Sequence, residues 1–224
     1  MFYPLITPQT HFDGVILADG DFPTASIPVA LLRNTRPLIA CDNAGAMLIQ
    51  HTGIMPDAII GDGDSFPANL KEQYQGICHF ESEQEYNDLT KATRYYAAHY
   101  KPSCKSQTPL LCYVGATGKR EDHTLGNISL PRFYRHHFGI DAALVTDYGW
   151  FVYCEGKNTF ESIKNQQVSI FNQNCKRLQN EGLTWESYPF KEWWQGTINN
   201  AESDKFTLDG DGEYIVFRTF KAKE

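Results

Sequence analysis

The sequence predicts an α/β doubly wound parallel sheet in an N-terminal domain, followed by a small all-β sandwich domain. Up to about residue 156, short apolar runs alternate with longer amphipathic segments, as strands and helices do in α/β proteins. Beyond that point the helical periodicity fades, and Asn, Gln, Gly and Thr separate short alternating segments, which indicates strands. We therefore expect domains at residues 1–156 and 157–224, and a unit as small as the second has a limited core of its own.

Short apolar runs define the predicted strands, because aliphatic and β-branched residues are typical of buried strands. In the first domain they are residues 15–17, 37–41, 58–60, 77–80, 110–114 and 142–145. The predicted helices cover residues 28–33, 44–50, 88–100 and 122–137, and Asn87 or Asp88 is the expected N-cap of the third. In the second domain, residues 167–171 and 214–220 alternate like half-buried strands.

The composition restricts the class of protein. With 42% hydrophobic residues the chain can build a core, and its net charge of -7 argues against a nucleic-acid partner. Neither a secretory signal nor an apolar run of the roughly 20 residues that span a membrane is present. The six cysteines include no C-x-x-C pair, as expected of reduced thiols in a cytoplasmic protein.

Carboxylates follow several predicted strands directly. Asp62 and Asp64 follow the third strand, Asp42 follows the second, and Asp88 lies a short loop after the fourth. Because ligands of parallel sheets bind beyond the carboxyl ends of the strands, we expect these side chains to converge. Oxygen ligands suit Mg²⁺, which binds one or two carboxylates together with substrate phosphates. The alternative is an acidic surface turn, and Asp19-Gly20-Asp21 is interpreted as such a turn and left out of the site.

Residues 115–123 leave a predicted strand and enter a helix. Gly115 and Gly118 would let backbone amides approach a phosphate, and the N-terminus of the helix favours anions. Arg120 can bind phosphate oxygens through two parallel hydrogen bonds. On its own this pattern fits a plain strand–helix turn equally well.

Taken together, these blocks resemble the thiamine pyrophosphokinase family. Four blocks match the family's motifs in order and spacing, at residues 41–45, 56–65, 83–91 and 115–123, and a fainter match follows at 182–185 (GLTW) and 197–200 (TINN). The chain departs from the family pattern at Asn43 and Lys119, where glycines are common, and at Glu83, where Asp is usual.

The resemblance implies an enzyme that transfers the pyrophosphoryl group of ATP to thiamine, giving thiamine diphosphate and AMP. Two other readings stay open at this point. A magnesium-dependent nucleotide or phosphate-ester hydrolase would need the carboxylates without the second domain. A non-catalytic sensor of thiamine or nucleotide is the other, and its support is limited to the departures at Asn43 and Lys119.

The resemblance also assigns residues and partners. It implies a homodimer, ATP as co-substrate, and Mg²⁺ bound by the catalytic carboxylates Asp62, Asp64 and Asp88. The nucleotide would contact Asp42, Gly115, Gly118, Arg120 and Asp122. Thiamine would contact Gln84, Trp185, Thr197 and Asn200.

The sequence allows two interpretations of Trp185 and of the pair Trp193-Trp194. Trp185 offers a ring face to the thiazolium cation, but a tryptophan in a small β domain is also typical of its core. The pair Trp193-Trp194 is expected to lie in the core or in a dimer interface.

Overall fold

The computed structural model describes residues 1–223, which form two compact units. One unit, here the α/β unit, is Pro8–Asp147, and the other, the β unit, combines Met1–Thr7 with the described residues from Tyr148 onwards. We expected the boundary at 156/157, but the strand Gly149–Glu161 continues across that position. The first residues join the β unit because Phe2–Tyr3 pairs with that same strand.

The α/β unit alternates strands and helices, which are numbered along the whole chain. Its strands are β2 (Gly14–Leu17), β3 (Leu38–Cys41), β4 (Ala58–Gly61), β5 (Cys78–Phe80), β6 (Leu110–Val114) and β7 (Asp141–Val145). Its helices are α1 (Ser26–Asn34), α2 (Asn43–Thr52), α3 (Ala68–Lys71), α4 (Asp88–His99) and α5 (Glu121–Phe138), with a 3-10 helix at Lys101–Ser103. The six predicted strands and four predicted helices are confirmed, and α3 is an addition.

The six strands of the α/β unit pair in parallel in the order β7-β6-β2-β3-β4-β5. Every residue of β2, β3 and β4 is buried, as expected of central strands in a parallel sheet. Parallel pairing brings the carboxyl ends of these strands to one edge. The loops that follow β2, β3, β4 and β6 therefore begin at the same edge.

Helix α4 is fixed to this sheet by buried hydroxyl groups. The Thr93 hydroxyl lies 2.9 Å from that of Tyr113 on β6, and the Thr90 hydroxyl lies 3.2 Å from that of Tyr134 on α5. Buried hydroxyls need such partners, so these contacts define the position of α4 closely. They thereby place Asp88, the first residue of α4, at the edge described above.

The β unit is mainly antiparallel. Its strands are β1 (Phe2–Tyr3), β8 (Gly149–Glu161), β9 (Gln166–Asn172), β10 (Leu178–Glu181), β11 (Asn199–Asn200) and β12 (Lys205–Ala222), with a 3-10 helix at Trp193–Gly196. β12 pairs antiparallel with β8, β9 and β10, β11 pairs with β9, and β1 adds to β8 in parallel. The predicted strands 167–171 and 214–220 lie within β9 and β12.

The strand β8 and the first half of β12 were not predicted. Their pairing register shifts between Asp209 and Glu213, and opposite this shift Gly156 has a φ of 69°. A bulge of this kind places polar and glycine residues inside a strand. It therefore interrupts the alternation from which strands are recognised.

Arg218 ties the first residues of the chain to the β unit. Its side chain is 1% exposed and donates hydrogen bonds to the carbonyl oxygens of Tyr3 (3.2 Å), Pro4 (3.1 Å) and Glu161 (2.6 Å). Its guanidinium also lies 4.6 Å from the centre of the Trp150 ring, a favourable cation–π contact. Burial lowers the pKa of Arg218 to about 10, so the group remains charged at neutral pH.

In the part of the chain that is described, no helix combines the length and the apolar character that crossing a membrane requires.

Candidate active site

Three carboxylates meet at the sheet edge of the α/β unit. Asp42 follows β3, Asp62 follows β4 and Asp88 begins α4, and one ligand oxygen from each lies within 4.8 Å of the others. Three anionic groups this close repel one another unless a cation lies among them. The convergence expected from the sequence is therefore present, with Asp42 as its third member.

Asp42 is the most buried of the three, with 2% exposure. One of its oxygens accepts hydrogen bonds from the Ser65 hydroxyl (2.9 Å) and backbone amide (3.3 Å), while the other, Oδ1, is buried without a hydrogen-bond partner. Burial raises the pKa of Asp42 above its usual range, although the bonds from Ser65 oppose the rise. Its φ of 40° is unusual for a residue other than glycine. A strained backbone and an unpaired oxygen are features of a binding site.

Gly61, the last residue of β4, makes room for this cluster. A Cβ atom at this position would lie 2.9 Å from the Asp42 Cβ and 3.4 Å from the Asp88 carboxyl carbon. Any larger residue would push these two carboxylates apart. The glycine of the predicted motif is therefore explained by the close approach of two side chains.

Asp64 lies outside the group of three. We expected Asp62 and Asp64 to face the same way as in an extended strand, but Gly63 has a φ of 77° and turns the chain between them. The Asp64 amide instead donates to the Asp62 carboxylate at 3.0 Å, and the Gln84 amide donates to it at 3.2 Å. These two hydrogen bonds lower the pKa of Asp62.

Asp88 has one cation beside it, the ammonium group of Lys91. The two groups lie 3.5 Å apart, and the Lys91 side chain is only 2% exposed. Burial raises the pKa of Asp88, Lys91 lowers it, and the neighbouring Asp62 and Asp42 raise it again. The helix begins as predicted, because the Asn87 side chain accepts a hydrogen bond from the Thr90 amide at 3.0 Å. Lys91 is the last residue of the matching block at residues 83–91, but no role was predicted for it.

A cavity of about 440 Å³ opens beside the carboxylates. Its lining includes Asp62, Gln84, Asp88, Lys91, Gly118 and Arg120. Among the residues expected to contact the nucleotide, Gly118 and Arg120 line this cavity, whereas Asp42, Gly115 and Asp122 are not part of its described lining. Asp19, which we interpreted as part of an ordinary turn, is part of the lining.

The glycine loop after β6 packs against the loop after β2. Gly115 and Gly118 have φ values of 67° and 84°, and a Cβ atom on Gly118 would collide with the Asp21 carboxylate. The Asp21 amide donates to the Thr117 carbonyl at 2.9 Å, and the Gly20 amide to the Gly115 carbonyl at 2.7 Å. Glycine is thus required here for loop packing as well as for access to the cavity.

Arg120 and Asp122 form an exposed pair at the start of α5. Two hydrogen bonds join the guanidinium to the carboxylate, at 3.1 and 2.5 Å, and both side chains are more than half exposed, at 66% and 62%. Hydrogen bonding to Arg120 lowers the pKa of Asp122. Arg120, which we expected to bind phosphate and which lines the cavity, is therefore paired with the carboxylate of Asp122.

The β unit has its own cavity, of about 280 Å³, lined by aromatic and polar side chains. Trp185 and Thr197 of the predicted thiamine residues line it, and Trp185 is 55% exposed, which argues against the alternative of a core tryptophan. Asn199 lines it in place of Asn200. Its amide donates to the Trp185 carbonyl at 2.8 Å and its oxygen accepts from the Trp185 amide at 3.1 Å. Sequence reasoning missed this role, because two consecutive asparagines cannot be told apart by pattern.

Exposed apolar side chains belong to the same segments of the chain as the residues that line this cavity. Tyr188, Trp193, Trp194 and Ile198 are 50%, 43%, 73% and 65% exposed. Trp194 is thus a surface residue, although the sequence allowed either the core or an interface for the pair Trp193-Trp194. Apolar residues exposed as a group mark an interaction surface more often than those exposed singly.

Comparisons with known proteins agree with this division into two units. A family model described as thiamin pyrophosphokinase, catalytic domain, matches residues 29–140, and one described as thiamin pyrophosphokinase, substrate-binding domain, matches residues 149–217. A comparison with curated proteins found no match.

Solved structures share the fold at low sequence identity. The thiamin pyrophosphokinase from Candida albicans is 14% identical with a TM-score of 0.76, over 98% of this chain and 92% of that one. The thiamine pyrophosphokinase from Bacillus subtilis is 18% identical with a TM-score of 0.73, over 92% and 98%. The thiamin pyrophosphokinase from yeast is 14% identical with a TM-score of 0.76, over 97% of this chain and 90% of that one.

Proposed function

Because this chain belongs to the thiamin pyrophosphokinase family, we propose that the carboxylate cavity of the α/β unit is where it transfers the pyrophosphoryl group of ATP to thiamine. The chain is an enzyme of thiamine diphosphate synthesis. The observation that carries the location is the convergence of Asp42, Asp62 and Asp88 at the sheet edge, within the residues of the catalytic-domain match.

The donor set of this cluster fits Mg²⁺. All three ligands are oxygen atoms, the preferred ligands of this ion, and the buried Oδ1 of Asp42 has no other partner. We assign the ion to Asp42, Asp62 and Asp88. Asp64 lies outside this group, and we propose it as a further ligand because it belongs to the same turn as Asp62. When bound, Mg²⁺ supplies positive charge against the ATP phosphates.

The remaining chemistry is alignment of the two substrates. The hydroxyl oxygen of thiamine forms a bond to the β-phosphorus of ATP, the bond from that phosphorus to the oxygen bridging to the α-phosphate breaks, and AMP leaves. One of the cavity carboxylates accepts the hydroxyl proton. Such reactions depend mainly on positioning and on neutralising charge. Arg120 and the amides of the loop containing Gly115 and Gly118 would hold the phosphates, with Asp42 and Asp122 on the nucleotide side.

Each unit has its own proposed contacts with thiamine. Gln84, whose amide already donates to Asp62, would bind it beside the carboxylates. In the β unit, the exposed ring of Trp185 would stack on the cationic thiazolium or on the pyrimidine. Thr197, Asn199 and Asn200 would supply polar contacts around that ring.

We further propose that the parallel sheet is doubly wound and that the β unit is an all-β sandwich. In addition, we propose that the chain acts in the cytoplasm as a homodimer whose interface buries the exposed aromatic residues of the β unit. The absence of a nucleic-acid or membrane partner remains part of the proposal. Sedimentation of a single species at the 25.5 kDa monomer mass would contradict the dimer, and recovery in the membrane fraction would contradict the location.

The reaction is tested by incubating the chain with thiamine, ATP and Mg²⁺ and separating the products. We expect thiamine diphosphate and AMP in equal amounts, and no AMP when thiamine is omitted. ADP as the sole nucleotide product would contradict pyrophosphoryl transfer. Turnover of ATP that does not depend on thiamine would indicate a hydrolase instead.

A further inference from the structure

We propose that Lys119 is a phosphate-binding residue for the nucleotide, held by Asp19 in the free enzyme and transferred to a phosphate oxygen when ATP binds. The inference deepens the proposed function, because it names a residue of that same cavity that recognises a triphosphate. It concerns a position at which the chain departs from the glycine common in the family it resembles. The family's binding residues therefore do not include this one.

The backbone at Lys119 is unfavourable for lysine. Its φ is 56°, in the left-handed region, directly after Gly118 with a φ of 84°. A residue with a β-carbon is strained in this region, whereas glycine is not. The turn itself would form more readily with glycine. The backbone therefore gives no reason for a lysine at this position, and the contacts of its side chain decide its role.

The side chain reaches across the mouth of the cavity. Its ammonium group lies 2.9 Å from the Asp19 carboxylate, in the loop after β2, and the Asn43 amide lies 3.5 Å from the same oxygen. Lys119 and Asp19 both line the 440 Å³ cavity beside the carboxylate cluster. The cation thus lines the cavity in which the phosphates of the nucleotide are proposed to bind.

Of the Lys and Arg side chains that line this cavity, Lys119 is held by the fewest contacts. The Lys91 side chain is 2% exposed and lies beside Asp88, and Arg120 is bound to Asp122 through two hydrogen bonds. Lys119 has one ion pair, with the two side chains 48% and 35% exposed. Exposed pairs contribute little to stability, so exchanging one carboxylate for the multiple charges of a triphosphate is favourable.

The test compares three variants by calorimetric titration with Mg²⁺ and ATP. Lys119→Met removes the charge but keeps the β-carbon, and we expect it to weaken ATP binding on the order of tenfold. Lys119→Gly should weaken binding equally while the melting temperature stays the same or rises. Asp19→Asn should have the opposite effect and tighten ATP binding, because it releases Lys119 and removes a negative charge near the phosphates.

Three results would overturn the inference. The first is ATP binding in Lys119→Met that equals that of the wild type. The second is weaker ATP binding in Asp19→Asn than in the wild type, which would mean that the pair only joins two loops. The third is a wild-type protein that does not bind ATP. AMP formation from thiamine, measured on the same samples, reports on the proposed reaction separately. If no sample forms AMP while ATP binding changes as expected, the reaction is wrong and the role of Lys119 stands.

Discussion

At the residue scale, the carboxylates of the cluster differ in their surroundings and therefore in their expected roles. Asp42 is buried and keeps one oxygen without a partner, whereas Asp62 accepts hydrogen bonds from the Asp64 amide and from Gln84. These bonds hold Asp62 as an oriented anion at the cavity. Removing its charge should impair the reaction far more than the fold.

We expect Asp62→Asn to lower kcat on the order of 100-fold, because one preorganised charge near the phosphates is lost. The urea midpoint should change little, since Asn has nearly the same shape as Asp and the half-buried Asp62 lies in a turn. Steady-state AMP formation and urea unfolding measure the two effects. Asp204→Asn, at an exposed loop of the β unit, is the matched control, and an Asp62→Asn variant as active as this control would argue against the assigned cluster.

Asp147 illustrates a carboxylate that acts on stability. It accepts hydrogen bonds from the Thr24 amide (3.0 Å), the Thr24 hydroxyl (2.6 Å) and the Ala25 amide (3.1 Å), just before α1. Burial alone would raise the pKa of Asp147, but these hydrogen bonds lower it overall. A folded-state pKa below the unfolded value means that Asp147 stabilises the fold above the unfolded pKa, which is about 3.9.

Replacing Asp147 with Asn should therefore reduce the free energy of unfolding by about 1 kcal/mol or less near pH 7, allowing for solvent screening. The difference from the wild type should shrink as the pH falls through the folded-state pKa, because the wild-type carboxylate is then protonated. Urea unfolding between roughly pH 3 and pH 7 measures this difference. A difference that grows towards acid would contradict the assigned sign.

At the element scale, β4 ends in a glycine because two carboxylates approach it. Gly61→Ala should destabilise the fold by about 1–3 kcal/mol, as overpacking does, and should also lower activity by separating Asp42 from Asp88. Thermal unfolding and AMP formation test both effects. Wild-type activity in Gly61→Ala would mean that the close approach has no functional role.

Gly126→Ala is the matched control for that substitution. Gly126 lies inside α5, where an added Cβ atom meets no atom within 4 Å. Alanine is the better helix former by about 1 kcal/mol, so this variant should be more stable and equally active. A loss of stability would show that α5 does not tolerate a side chain there.

The elements also show how far the sequence predicts this molecule. Strands such as β3 and β4 consist of buried aliphatic residues, and the parallel sheet followed from their alternation with helices. The strand β8 was missed because Gly156 and its polar neighbours form a bulge. Asp64 was expected in the cluster because a period of two was assumed across Gly63, whose positive φ the sequence does not reveal. Asn199 and Asp19 were missed because their roles depend on loops that meet only in the folded chain.

At the scale of the whole molecule, the β unit depends on Arg218, which joins residues that are far apart in the chain. Arg218→Met should lower the free energy of unfolding of the β unit by about 3 kcal/mol or more, because it removes a buried charged group and leaves the partly buried carbonyls of Tyr3, Pro4 and Glu161 without this donor. Arg218→Lys should lose less of the free energy of unfolding, since lysine keeps the positive charge but lacks the planar guanidinium that donates several hydrogen bonds at once. Urea unfolding followed by tryptophan fluorescence reports the change, because the four tryptophans of the chain all lie in the β unit. Equal stability of the three proteins would contradict the role of Arg218.

The pairing of Phe2–Tyr3 with the strand Gly149–Glu161 affects the order of events during synthesis. A ribosome makes residues 1–7 first, yet their partner strand emerges only after the 140 residues of Pro8–Asp147. That intervening segment holds its own parallel sheet and can fold as a domain while the chain is still growing. The strand Phe2–Tyr3 must meanwhile stay unpaired, so slow translation should favour its pairing with other exposed strand edges until the strand Gly149–Glu161 leaves the ribosome.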